Sequence, residues 1–132
     1  MRDVVRTRSV PQIIVSNADY ERLTDLATAS LERLPEVANE LLSEMDRAKV
    51  VQDGSVPDDV VRMGSTVTFK SDDGNIRTFK LVYPAEESLD EHRISVMTPV
   101  GAALIGLAEG QSISWAARDG RRHELTVEKV KN

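Results

Sequence analysis

The run Arg93–Trp115 constrains this chain more than any other segment. Arg93 to Met97 has the β-branched and alternating character of a short strand, and Pro99 stops it, because proline has no N–H for a ladder and a fixed φ. Ala102 to Leu107 is apolar with helical spacing. It is too short to hold a helix in water, so it must be packed on something. Gly106 and Gly110 mark turns, and Gln111 to Ala116 reads as a strand again. A helix inserted between two strands places this half of the chain in an α+β domain.

The neighbouring segments extend that sheet. Ser65 to Lys70 alternates, with Val67 and Phe69 on one face. Asp72-Asp73-Gly74-Asn75 is a hairpin turn, and Arg77 to Tyr83 is its partner strand, with Phe79, Leu81 and Tyr83 on one face. Pro84 ends that strand, and an acidic loop follows from Glu86 to Glu91. Asp119-Gly120 turns the chain into a last strand, His123 to Val130. There Leu125, Val127 and Lys129 share one face and Val130 the other. The expectation is an antiparallel sheet of five strands with one short helix.

The N-terminal half has a different period. Ser16 reads as an N-cap with Asp19 in the capping-box position. Tyr20, Leu23, Ala27 and Leu31 then give a helical stripe from Asn17 to about Ser30. Leu34-Pro35 interrupts it, and Pro35 suits the first turn of a second helix. That helix runs to about Lys49, with Ala38, Leu41, Met45 and Ala48 on one side. Glu36 and Glu40 near its start and Arg47 near its end match the helix dipole. Two helices joined this closely form an antiparallel hairpin, a short coiled coil whose tip is Ser30 to Pro35. The tip region carries Glu32, Arg33 and Glu36. The expected organisation is a tail over 1–11, the hairpin over 12–50, a linker over 51–57 with turn chemistry at Asp53-Gly54, and the sheet domain over 58–132.

Composition narrows the function. The net charge of −5 and the lack of a dense basic patch argue against direct nucleic-acid binding. No cysteine is present, so thiolate metal sites and disulfides are excluded. His92 and His123 are far apart and carry no ligand spacing, so no metal or cofactor is expected. No apolar run approaches the ~18 residues a spanning helix needs, and no signal core opens the chain, which reads as cytoplasmic and without a membrane role. Gly101, Gly106 and Gly110 lack the dinucleotide-binding spacing and read as turn and close-packing glycines. No nucleophile pattern occurs.

Four strings resemble a known family. The Thr98-Pro99-Val100-Gly101 step with Ala103-Leu104 and Gly106 resembles the C-terminal domain of the Gre transcript-cleavage factors. Glu44 to Ala48, Pro57 to Val67, Leu81 to Ala85 and Ile94 to Gly106 together resemble more closely the Rnk family, regulators of nucleoside diphosphate kinase that are Gre relatives with a shortened coiled coil. The resemblance covers roughly Ile13 to Val130. It implies an FKBP-like fold for the sheet domain and RNA polymerase as partner. It also implies a docking turn at Met97, Thr98 and Pro99, taken as exposed, with Met97 where Gre factors tend to place a polar residue. The acidic pair with which Gre factors help hold a catalytic Mg²⁺ is absent. Glu32 and Glu36 are the only carboxylates near a much shorter tip.

These features imply a non-catalytic, monomeric regulator that binds the polymerase near its secondary channel and competes with Gre factors. Three other readings are weighed against it: direct binding to a nucleotide-metabolism kinase, peptidyl-prolyl isomerase activity, and residual transcript cleavage. The second rests on fold alone, and five aromatics are few for a proline pocket. The third would need Glu32 and Glu36 to replace a lost motif.

Overall fold

The computed structural model describes residues 11–116 and 119–132; the tail segment 1–10 lies outside the described residues. The chain enters through β1 (Ile14–Ser16) into α1 (Asn17–Ala29), then runs through α2 (Pro35–Arg47) into β2 (Lys49–Val51). β1 and β2 pair in parallel, so the end of α2 returns to the start of α1. α2 ends at Arg47, two residues before the expected Lys49, which instead opens β2. Ala48 already has extended φ and ψ, and the Lys49 N–H leaves the helix to bond the Ile13 carbonyl at 2.9 Å. Ser16 caps α1 as expected, while the Asp19 carboxylate, expected in a capping box, accepts from Met63 N at 3.4 Å. Ser16 Oγ accepts from Asp19 N at 3.1 Å, and Asp53 Oδ1 takes the Ala18 N–H at 2.9 Å. The helices bury Leu23 and Ala27 against Ala38, Leu41 and Met45.

The second half forms a five-stranded sheet from β3 (Thr66–Ser71), β4 (Ile76–Val82), β5 (Arg93–Ser95), β6 (Ser112–Ala116) and β7 (Arg122–Lys131). Its strand order is β5-β4-β3-β7-β6. Gly74 closes the β3–β4 hairpin at φ 88°. Two features differ from the expected antiparallel sheet. First, β5 pairs parallel to β4. The Tyr83–His92 connection carries the chain back through two 3-10 turns, and His92 reverses it at φ 58°. Second, the face assignment in β7 changes after Val127. The register on β3 passes from Phe69↔Val127 to Thr68↔Lys129, which leaves Glu128 as the extra residue of a bulge. Val130 therefore turns inward, only 8% exposed, and Lys129 outward.

α3 (Pro99–Leu104) lies between β5 and β6 in sequence and packs against α2. It starts three residues before the expected Ala102, because Thr98 caps it. One continuous core runs from Ile13 and Leu23 through Leu41 and Met45 to Leu104, Val67, Phe69 and Leu125. Gly106 sits where β1 crosses the sheet half. A Cβ there would meet Ile13 Cβ at 2.7 Å, and Gly106 also has φ +83°. The position thus requires glycine on both steric and dihedral grounds. Among the described residues no helix is long and apolar enough to cross a membrane.

Candidate functional site

The Met97–Pro99 turn is built by three hydrogen bonds. Ser95 Oγ accepts from Met97 N at 2.9 Å. The Thr98 hydroxyl donates to the Ser95 carbonyl at 2.7 Å and accepts from Gly101 N at 3.0 Å. Thr98 is thus the N-cap of α3, with Pro99 at the first helical position. Its hydroxyl is committed inside the molecule. The expectation of an exposed Met-Thr-Pro turn is corrected at Met97. That residue is 6% exposed and belongs to the core, because the bond to Ser95 turns it inward under α3. Thr98 and Pro99 are half-buried.

The helix connector lies beside this turn. A hollow of about 880 Å³ is lined by Arg33 and Leu34 of the connector together with Met97, Thr98 and Pro99, and by Leu89 and Ile94. A second hollow of about 600 Å³ adds Glu36 and Glu40. Both share Arg33, Leu34, Met97, Pro99 and Trp115, so they form one groove. α2 packs on α3, and Pro35, Glu36 and Val37 at the start of α2 line the second hollow together with Pro99 at the start of α3. Of the residues read from sequence, Arg33, Glu36, Met97, Thr98 and Pro99 therefore come together. Glu32 is exposed and lines neither hollow.

Sequence reading missed Leu34, Leu89, Ile94 and Trp115. Two signals were available. Leu34 breaks the helical stripe, and Leu89 stands alone in an acidic run; both are large and exposed, at 39% and 63%. Trp115, the single tryptophan, closes the Arg93–Trp115 run. Its indole Nε1 has no hydrogen-bond partner among the described residues.

Beside the groove, Tyr83 anchors α1 to the end of β4. The Arg22 guanidinium stacks 4.4 Å from the ring centroid. Burial pushes the Tyr83 hydroxyl above its usual pKa, with the nearby Asp19 carboxylate adding to the effect. Asp19 is itself raised by burial, against the Met63 N–H that it accepts at 3.4 Å. No group of three or more His, Cys, Asp or Glu side chains suited to a metal occurs among the described residues. What the groove offers chemically is apolar surface with charged edges, which suits binding.

The chain is similar to known proteins along nearly its whole length. Residues 56–132 match the family "Transcription elongation factor, GreA/GreB, C-term", and residues 11–51 match "Rnk N-terminus". The Escherichia coli K12 protein named "Regulator of nucleoside diphosphate kinase" is 40% identical over 120 residues, covering 90% of this chain and 88% of that one. A GreA of Azorhizobium caulinodans is 30% identical over 113 residues, covering 85% of this chain and 69% of its own length. Among solved structures, a GreA/GreB elongation factor from Nitrosomonas europaea superposes with a TM-score of 0.72 at 33% identity. The match covers 92% of this chain and 100% of that one. With more than half its length matching the GreA/GreB C-terminal domain and an Rnk-type N-terminus ahead of it, the chain belongs to the GreA/GreB family, on its Rnk side.

Proposed function

We propose that this protein is a non-catalytic transcription regulator that binds RNA polymerase near the secondary channel and competes there with Gre factors. The observation that carries this reading is the groove that Pro99, at the start of α3, lines together with the helix connector. The Pro99 ring and its apolar neighbours supply the docking surface, because the Thr98 hydroxyl is already held within the turn. We assign an FKBP-like fold to the sheet domain (58–132) and a short coiled-coil role to the helix pair (12–50). Cleavage of RNA is not assigned. Glu32 stands outside the groove, and Glu36 and Glu40, which line it, belong to no group of three or more metal-ligating side chains among the described residues. Any effect on nucleoside diphosphate kinase then arises through transcription.

The test is competition. Core RNA polymerase, a labelled Gre factor and increasing amounts of this protein should show displacement of the label. Stimulated cleavage in a stalled complex should fall in parallel. A label that stays bound at saturating protein refutes the proposal. Co-purification of the kinase without polymerase would favour direct binding to the kinase instead.

A further inference from the structure

We infer that the helix connector is one wall of the polymerase-binding groove. The groove takes a polymerase segment that presents apolar side chains flanked by Lys or Arg. This rests on the polymerase reading above and makes it specific. Three observations carry it.

The first is the position of the apolar surface. Leu34 and Leu89 are two of the four large hydrophobics that the described residues expose, and both line the same hollow. Scattered exposed apolar residues are ordinary, but a pair lining one concavity that also holds Met97, Pro99 and Trp115 is a docking surface.

The second is charge. Among the described residues, Glu36 and Glu40 edge one hollow and Glu87 the other, against Arg33 alone. An occupant with basic flanks complements that rim, and an acidic one is repelled.

The third is the state of the nearest strand edge. β5 is an outer strand, but the loop before it covers its free side. Arg93 and Ser88 exchange backbone hydrogen bonds at 2.8 and 3.1 Å, and Glu87 Oε2 accepts from Ser95 N at 3.4 Å. No edge is left there for an added strand. Against β5 the occupant binds through its side chains, and β6, the sheet's other outer strand, borders the groove through Trp115.

This geometry gives the connector a role other than that of an independent tip. Arg33 and Leu34 touch the same partner segment as Pro99.

The experiment measures binding of the full-length labelled chain to core RNA polymerase at two salt concentrations, with thermal melts of every variant. Wild type is expected to bind. Pro99→Ala and Leu34→Ser are each expected to weaken binding by about tenfold, the size of one good apolar anchor. The double variant Glu36→Lys with Glu40→Lys is expected to weaken it too, with a loss that shrinks at high salt. Arg33→Glu is expected to tighten it. Leu34→Ser should not lower the melting temperature, so its loss of binding is not a loss of fold. If Pro99→Ala weakens binding while Leu34→Ser and the double lysine variant bind like wild type, the connector is not a wall. The inference then falls while the polymerase reading stands. If Arg33→Glu weakens and the lysine variant tightens, the basic-flanked occupant is wrong. If wild type does not bind core polymerase at all, the reading beneath the inference fails and takes it along.

Discussion

A Cβ placed on Gly101 would stand 2.1 Å from the carbonyl oxygen of Ser95, closer than any non-bonded carbon and oxygen can approach. The same oxygen receives the Thr98 hydroxyl at 2.7 Å. The first turn of α3 is therefore pressed onto the end of β5, and the turn beside the groove depends on the missing side chain. Gly101→Ala gains helix propensity of about 1 kcal/mol but must push strand and helix apart. The expected net loss is about 2–3 kcal/mol, as for overpacked cores. Urea unfolding of the variant should show a lower midpoint at unchanged slope. A midpoint equal to wild type would mean that α3 is not held on β5 in this way.

Thr98 makes two of the bonds that shape this turn. Thr98→Ala leaves the Gly101 N–H without its cap and is expected to cost about 1–2 kcal/mol. Thr98→Ser keeps the hydroxyl and should lie within about 0.5 kcal/mol of wild type, the range of a tolerated change. The two variants compared by thermal melting separate a capping role from a docking role. If Thr98→Ser melts as low as Thr98→Ala, the hydroxyl is not what holds the turn.

Leu34 presents the reverse case. It is the N-cap of α2, yet it makes no side-chain cap bond. Leu34→Ser supplies an acceptor for the open N–H groups of the first turn. The gain is modest, because Leu34 has ψ 63° where the capping residues Ser16 and Thr98 have 157° and 158°. The expected stabilisation is about 0.5 kcal/mol, the lower end for a cap. Differential scanning calorimetry should show a melting temperature equal to or above wild type. A clear fall would mean that the Leu34 side chain packs more tightly than its 39% exposure implies.

The sequence stated these local features well, because each depends on near neighbours. Ser16 as a cap, the Leu23/Ala27 and Leu41/Met45 stripes and the Asp73-Gly74 turn are all decided within a few residues. The parallel pairing of β5 and the Glu128 bulge were not legible. Both are set by how a strand meets a partner distant in sequence, and neither leaves a periodic mark. The groove was half legible. Thr98-Pro99 announces a turn and Leu34-Pro35 a break between helices. That the two lie side by side follows only from α2 packing on α3, which no local pattern encodes. Glu44 was hidden for a related reason. It reads as one more helix-surface carboxylate, but it is 6% exposed and paired with Arg47 at 2.5 Å, while Arg47 also donates to the Pro11 carbonyl.

That buried Glu44 predicts a pH dependence. Burial raises its pKa above the usual 4.5, and the Arg47 charge and hydrogen bond only partly offset this. Asp19 is raised above 3.8 for the same first cause. A carboxyl whose folded pKa exceeds its unfolded value holds its proton more tightly when folded. Its contribution to stability is therefore fully present below the unfolded pKa and is lost as pH rises through the folded one. Asp72 works in the other direction. It is lowered below 3.8, first by the Glu124 N–H, so its contribution is present above that value and is lost as pH falls through its folded pKa. From about pH 4 upward, Glu44 and Asp19 should thus erode stability while Asp72 holds steady. Glu44→Gln removes one of the titrating groups. The difference in unfolding free energy between Glu44→Gln and wild type should move in favour of the variant as pH rises from about 4 to 7. Chemical unfolding at matched ionic strength across that range measures it. A difference that stays flat, or moves in favour of wild type, would show that Arg47 fully compensates the burial of Glu44.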